Sequence, residues 1–471
     1  MIYSKITPFN ADVYTPVEIY LSLRNHYRKT CLLESNEYQS RSNSKSFIGV
    51  NPIVELMIEN QAVSIDVDGV RSEEILNQNQ DSVAQIQQIL ERFKFNNPEI
   101  EGNGFFGRFG FEFALMTEKH IEKAKSDLEI PDIHFFVFEQ IIVIDHFTSN
   151  GYVISNSFNS EELKAMGITH LLQRKPFTEL PFETIGGEKS DFTDEEFARI
   201  VTDAKSSCMR GDVFQLVVSN RFQQSFFGDD FQVYRQLRRL NPSPYLFYFD
   251  FESYRLFGSS PEAQLIVKKG KAEIHPIAGT VSKSGDKSVD DEQIHFLVND
   301  EKENAEHTML VDLARNDLSK DCKNVKVEIY KEIQHFSHVI HLVSKVTGEV
   351  DSTESLKLIS NSFPAGTLSG TPKPKALELI AKTEKSTRDF YGGAVGLIAS
   401  NGDINMAIVI RSILSKNNIM NYRAGAGVVI NSIVENEVKE VHHKLRAVRT
   451  AISKADSQKE VIENLKIVSN I

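Results

Sequence analysis

Apolar residues recur along this chain with two different periods. From Val17 to Tyr27 they fall at helical spacing, behind Thr15 and Pro16 as N-cap and first helical position. Thr30 to Leu33 is strand-like, followed by Glu34 and Ser35, and Asn51 to Asp66 alternates as half-buried antiparallel strands do. Asp81 to Phe95 reads as an amphipathic helix closed by Asn96-Asn97-Pro98, and Ile133 to Ile144 as a strand pair at best. Gly186 to Asp191 is polar and carries two glycines, which predicts a connector. Thr193 with Asp194, Glu195 and Glu196 then offers an N-cap and an acidic first turn to a new helix.

Beyond that point strands dominate. Val213 to Phe222, Leu246 to Asp250, Ala263 to Lys268, Val325 to Ile329 and Val339 to Val350 are all β-like. Ala394 to Ile398, Met406 to Ile410 and Asn421 to Ile430 read as a meander. No solenoid repeat and no low-complexity tract interrupts the pattern. The expectation is an α+β fold of antiparallel-rich sheets packed together and covered by helices, with a boundary near residue 190 separating 1–189 from 190–471.

Composition narrows the function classes. The 471 residues allow two to three domains, and 41% hydrophobic with 25% charged residues is ordinary for a globular chain. A formal charge of -12 argues against nucleic acid as a partner, whose binding surface should be basic. Cys31, Cys208 and Cys322 show no paired spacing, which suggests a reducing compartment. Met1 to Thr7 lacks an apolar signal core and no run is long enough to span a bilayer, so a cytoplasmic protein with no membrane contact is expected.

The chemistry concentrates in a few stretches. On a helix, Glu303, Glu306, Leu310 and Leu313 share one face, apolar at its far end and doubly anionic at the near end. Glu437 and Glu440 repeat the device, with Lys444 one turn on and the apolar stripe Val438, Val441, Leu445 and Val448 beside them. One such pair is ordinarily a solvated helix end. Two pairs could face each other across a hard divalent ion such as Mg2+, which leaves coordination positions for an anionic substrate. His275 to Thr280 and Phe363 to Pro372 read as tight turns that expose backbone N–H groups, the second just before a helix from Lys375 to Ala381. Tyr391-Gly392-Gly393, Arg411 and Arg423-Ala424-Gly425-Ala426-Gly427 offer close-approach backbone and guanidinium donors suited to a carboxylate.

With those residues in place, the chain from 190 to 450 resembles the chorismate-utilising enzymes, and within them the anthranilate synthase component I family. The carrying stretches are Gly211 to Gln215, Asn241 to Tyr245, Gly258 to Glu262, His275 to Thr280, Glu303 to Leu318, His341 to Val343, Phe363 to Pro372, Tyr391 to Gly393 and Gly425 to Glu440. The N-terminal part matches through Leu32 to Ser35 and Lys45.

The resemblance implies Glu306 and Glu440 as direct Mg2+ ligands, with Glu303 and Glu437 holding metal-bound water or substrate-side contacts. The metal would take the ring carboxylate of chorismate, with Lys444 nearby. Tyr391, Arg411 and the backbone of Gly425, Ala426 and Gly427 would hold the enolpyruvyl carboxylate, while Gly279 and Thr280 line the ring. Glu262 resembles the general acid that protonates the departing C4 hydroxyl, and His341 is a candidate proton shuttle whose bland alternative is a hydrogen-bonded strand histidine. Val281-Ser282-Lys283 and His442-His443-Lys444 depart from the family pattern.

Two positions point to ammonia as the nucleophile. Members that activate water resemble each other in a lysine base where this chain has Gln215. Aminodeoxychorismate synthases carry a lysine nucleophile where it has Ala278. The implied activity is a carbon–oxygen lyase forming anthranilate and pyruvate, with ammonia supplied by a glutamine amidotransferase subunit (component II) in a hetero-oligomer. Tryptophan would inhibit from a pocket formed by Glu34, Ser35, Lys45, Pro244, Tyr245 and Leu246. The alternatives are an aminodeoxychorismate synthase component and, in a different class, a non-catalytic tryptophan-sensing homologue.

Overall fold

Two strands of this protein are long enough to serve two sheets each. In the computed structural model, which describes residues 1–35, 44–77, 79–118, 120–123, 126–173, 177, 179–283, 285–335, 339–351 and 355–456, Lys45–Glu59 and Ile133–Asp145 pair antiparallel along their length. Ile133–Asp145 is therefore one strand and not a strand pair. It is buried on both faces almost throughout, so its sequence is a continuous apolar run without alternation. A register shift between Pro52 and Val54 bends its partner where a turn would have broken it. The alternation read from Asn51 to Asp66 belongs to the hairpin of Lys45–Glu59 with Ala62–Val67, turned at Asn60 and Gln61, both at positive φ.

From this shared pair two antiparallel arms diverge. One runs from Ile133–Asp145 through Gly104–Phe109, Ala394–Ala399, Ile404–Ile408, Ala263–Lys268 and Lys271–Ile274 to Val339–Glu349, which also pairs with Ile277–Ser282 and Lys323–His335. The other runs from Lys45–Glu59 through Thr30–Glu34, Tyr245–Asp250, Arg255–Ser260, Ser412–Lys416 and Ile419–Val428 to Gln215–Gly228. Phe106, Phe136, Phe138 and Ala407 of the first arm share one buried cluster with Phe247, Phe249, Leu256 and Leu414 of the second. The arms thus face each other across a dry, aromatic-rich core. Burying one such aromatic side chain stabilises the fold by roughly 1.5–3 kcal/mol.

Helices cover the outer faces. Glu301–Ser319 packs on Val339–Glu349 and Ile277–Ser282, while Asp194–Met209, Phe231–Leu240 and Val434–Asp456 pack together over the second arm. Asp194–Met209 starts where the sequence indicates: Thr193 and Glu196 form a reciprocal capping box. Pro16–Leu23 is capped by Thr15, and Ser82–Leu90 by Asp81, each ending several residues before the apolar periodicity does.

Two further expectations are corrected. Gly186 to Asp191 is no connector; Phe182–Ser190 is a strand on the edge of Gln215–Gly228. Its side chains are mostly exposed, so backbone pairing places it and no apolar alternation marks it. The segment His275 to Thr280 is no tight turn either. Ile277–Ser282 is a strand with a bulge at Gly279, whose φ is +72°. The arms draw strands from both sides of residue 190. Among the described residues no helix is long and apolar enough to cross a membrane.

Candidate active site

The three C-terminal segments expected to form a meander are two hairpins in different arms. Ala394–Ala399 with Ile404–Ile408 lies in the first arm, and Ser412–Lys416 with Ile419–Val428 in the second. The chain crosses between them at 409–411. Directly opposite, it crosses again at Pro261 and Glu262, between Arg255–Ser260 and Ala263–Lys268. The ladder forks there, and backbone bonds from Ser259 N to Arg411 O and from Ile408 N to Glu262 O tie the two crossings together. Arg411 takes a left-handed backbone (φ +49°) at its crossing, a conformation a non-glycine residue adopts only when its surroundings hold it.

Glu262 and Arg411 therefore meet by topology. Burial pushes the Glu262 carboxyl up to about 7, against the opposing pull of a hydrogen bond from Thr367 and of the Lys444 and Arg411 charges. Thr367 Oγ1 donates to Glu262 Oε1 at 3.1 Å. Burial also disfavours the Arg411 guanidinium, and Glu262 partly offsets this. A carboxyl whose pKa lies near neutrality is protonated in part at pH 7, the state a general acid needs.

The residues expected to hold a carboxylate, here termed the cradle, adjoin the fork. Gly392 N donates to Val409 O and Val409 N to Gly393 O, which brings Tyr391 beside the crossing. A Cβ at Gly425 would lie 3.2 Å from Tyr391 Oη and 2.7 Å from Val218 O, so only glycine leaves this space open. Lys444 Nζ donates to Gly425 O at 2.9 Å and pairs with Glu440 at 2.8 Å. Its side chain stays 43% accessible. Burial opposes its charge, but Glu440 and its other neighbours outweigh this and raise its pKa. Ala426 is buried in the strand, and a Cβ on Gly427 would meet Gln215 Nε2 at 2.8 Å.

Gly279 and His341 close the other side. His341 Nδ1 lies 3.4 Å from Gly279 O, and Thr280 is its cross-strand neighbour. Burial lowers the His341 pKa, with Arg411 pushing the same way, so the imidazole is neutral at pH 7. The side chains of Ala278 and Thr280 lie outside the described residues. Glu303 Oε2 is 3.2 Å from where a Cβ on Gly279 would stand.

On Glu301–Ser319 the most buried stripe is His307, Val311, Ala314 and Leu318. Glu303, Glu306, Leu310 and Leu313 are only half-buried, so this face borders the core where the sequence suggested it packs into it. The offset has a cause: Leu313 packs against Gly366, where a Cβ would lie 2.0 Å from its Cδ2. On Val434–Asp456, Glu437 is buried and Glu440 exposed, beside the buried stripe Val441, Leu445 and Val448.

Among the described residues no three His, Cys, Asp or Glu side chains gather as a ready-made metal cluster. Mg2+ does not need one. It binds through one or two carboxylates and completes its octahedron with water and substrate oxygens, and Glu303, Glu306, Glu437 and Glu440 are donors of that chemical kind.

The candidate tryptophan residues lie together on the second arm. Leu246 pairs with Glu34 across adjacent strands, and Tyr245 with Ser260, two residues before Glu262. Buried Glu34 accepts from Arg238 Nε and Nη2 and from Tyr234 Oη, all at 2.8 Å. Lys45 pairs with Glu101 at 2.5 Å; Ser35, Pro244 and Tyr245 are half-buried. Sequence reasoning did not find Arg238 or Tyr234, although their i, i+4 spacing on Phe231–Leu240 was a usable signal. It also missed Thr367 as a partner of Glu262. Arg423, which opens the glycine-rich stretch, is buried and held by Glu384 at 2.7 Å.

Comparison with known proteins converges on one group. A family model described as chorismate binding enzyme matches residues 29–450. Anthranilate synthase component 1 of Aquifex aeolicus is 32% identical over 96% of this chain and 95% of its own. Aminodeoxychorismate synthase component 1 of Bacillus subtilis is 36% identical over 77% of this chain and 80% of its own. Among solved structures, anthranilate synthase component I from Streptococcus pneumoniae superposes with a TM-score of 0.73 at 30% identity, over 93% of this chain and 98% of that one.

Proposed function

Because the chain belongs to the chorismate-binding enzyme family, we propose that it is the large subunit of an anthranilate synthase, converting chorismate and ammonia to anthranilate and pyruvate. The observation that carries this reading is Glu262, whose carboxyl titrates at about 7 where the two sheet arms fork, facing Arg411 and Lys444.

In the first step the nitrogen of ammonia bonds to C2 of the ring while the C4–O bond breaks. Protonated Glu262 supplies the proton with which the C4 hydroxyl leaves as water. In the second step the ring loses its C2 proton and the ring C3–O bond breaks, and the departing enolate takes a proton at its methylene carbon to leave as pyruvate beside an aromatic product. His341, neutral at pH 7, is suited to shuttle that proton. Tyr391, Arg411 and the Gly425–Ala426–Gly427 backbone hold the enolpyruvyl carboxylate, and Gly279 with Thr280 lines the ring. Mg2+, held by Glu306 and Glu440 with Glu303 and Glu437 beside them, would neutralise the ring carboxylate.

Gln215 supports ammonia as nucleophile, since an amide cannot serve as the base that water requires. The ammonia would come from a glutamine amidotransferase partner in the cytoplasm, and tryptophan would bind at the Glu34 and Pro244–Leu246 cluster to inhibit. A second reading, an aminodeoxychorismate synthase component, is favoured by the 36% identity to the B. subtilis protein.

Turnover by the isolated chain with chorismate, Mg2+ and ammonium salt tests the choice. Fluorescent anthranilate with equimolar pyruvate is expected, and turnover should stop on chelation and return with Mg2+. A non-aromatic 4-amino product without pyruvate would establish the second reading. No turnover of chorismate at all would refute both.

A further inference from the structure

Behind the cradle lies a charged cluster that no step above uses. Arg388, Glu384 and Arg423 are almost wholly inaccessible, at 1%, 3% and 1% of their side-chain surface. Arg388 spends its planar fork on three different segments. Its Nη1 donates to Leu368 O at 2.5 Å, its Nη2 to Val217 O at 2.8 Å, and its Nε to Glu384 Oε2 at 3.0 Å. The guanidinium also lies 4.6 Å over the Phe111 ring. Glu384 Oε1 accepts from Ser219 N and Oγ, both at 2.9 Å, and its Oε2 from Arg423 Nη1 at 2.7 Å. Arg423 Nη2 in turn holds Thr387 O at 3.1 Å.

Each segment tied to this hub carries one wall of the cradle. Leu368 follows Thr367, the partner of Glu262. Val217 and Ser219 sit on the strand of Gln215, and Ser219 is paired with Gly425. Arg423 is two residues from Gly425 on the facing strand. Arg388 O accepts the backbone N–H of Tyr391 at 3.0 Å, so the residue that grips the other walls also sets the tyrosine. We infer that Arg388, anchored by Glu384 and Arg423, is the positioning residue that holds Tyr391 and Gly425 at the spacing an enolpyruvyl carboxylate requires. Lysine cannot replace it, because one ammonium cannot span two carbonyls and a carboxylate in a fixed plane.

The inference rests on the proposed function, and its test separates the two. Benzoate carries only the ring carboxylate, so as a competitive inhibitor it reports the other half of the site. In Arg388→Lys the KM for chorismate should rise about tenfold or more with kcat within about threefold, while the inhibition constant of benzoate moves less than about twofold. Arg423→Lys, which keeps a charge beside Glu384, should give the same selective pattern more weakly and serves if Arg388→Lys does not fold. Parallel losses for chorismate and benzoate in Arg423→Lys would reduce the hub to a purely structural role, and unchanged KM in either folded variant would overturn the inference. Wild-type turnover with benzoate competing against chorismate stands or falls with the proposed function alone.

Discussion

At the scale of single residues, Glu262 shows how position sets protonation. The family resemblance singles Glu262 out, but no local pattern in Ser259-Ser260-Pro261-Glu262 foretells its burial; burial at the sheet fork raises its pKa to about 7. The folded protein therefore keeps this proton through a range where the unfolded chain has already released it. That contribution favours the native state at low pH and is lost as pH rises from about 4.5 to about 7. On the proposed mechanism the same group must be protonated, so kcat/KM for chorismate at constant free ammonia should fall above pH 7. Glu262→Gln should lower kcat by roughly 10²–10⁴-fold and abolish that alkaline limb. A limb that survives the substitution would assign it to another group. Arg238 teaches the complementary lesson. Glu34 was legible as an acid at a strand end, but its bidentate partner lies 204 residues away in sequence, beyond any local pattern.

At the scale of elements, capped helices and alternating hairpins were legible because their signals are local. Thr193 with Glu196 and Thr15 with Pro16 mark helix starts through hydrogen bonds within one turn. The strand Phe182–Ser190 was not legible, since an edge strand held by backbone bonds leaves its side chains exposed. Gly425 lies between these cases: its place in a glycine-rich stretch was visible, and the need for it was not. The structure supplies that need as two close approaches, to Tyr391 Oη and Val218 O. Gly425→Ala should accordingly raise the KM for chorismate about tenfold through displacement of the tyrosine or the strand, with circular dichroism unchanged. Wild-type KM in this variant would show that the cradle tolerates a Cβ and that Gly425 is not part of it.

At the scale of the whole molecule, one strand joins the two proposed sites. Tyr245–Asp250 pairs with the strand of Glu34 on one edge and with Arg255–Ser260, which leads into Glu262, on the other. A ligand that shifts this strand acts on both ends, and linkage makes the effect reciprocal. Tryptophan should bind more weakly in the presence of chorismate, by the same factor that chorismate binding loses to tryptophan. The chain contains no Trp, so ligand indole emission reports this without background; equal affinity with and without chorismate would sever the link. The sequence by itself determined the antiparallel α+β class, most elements and the family, because periodicity, caps and ordered motifs are written in neighbouring residues. Only the tertiary structure decided that the last hairpins belong to different arms, that the fork brings Glu262 to Arg411, and that Arg388 ties the cradle together. Those facts depend on which distant strands pair, and backbone pairing is nearly indifferent to the side chains it aligns.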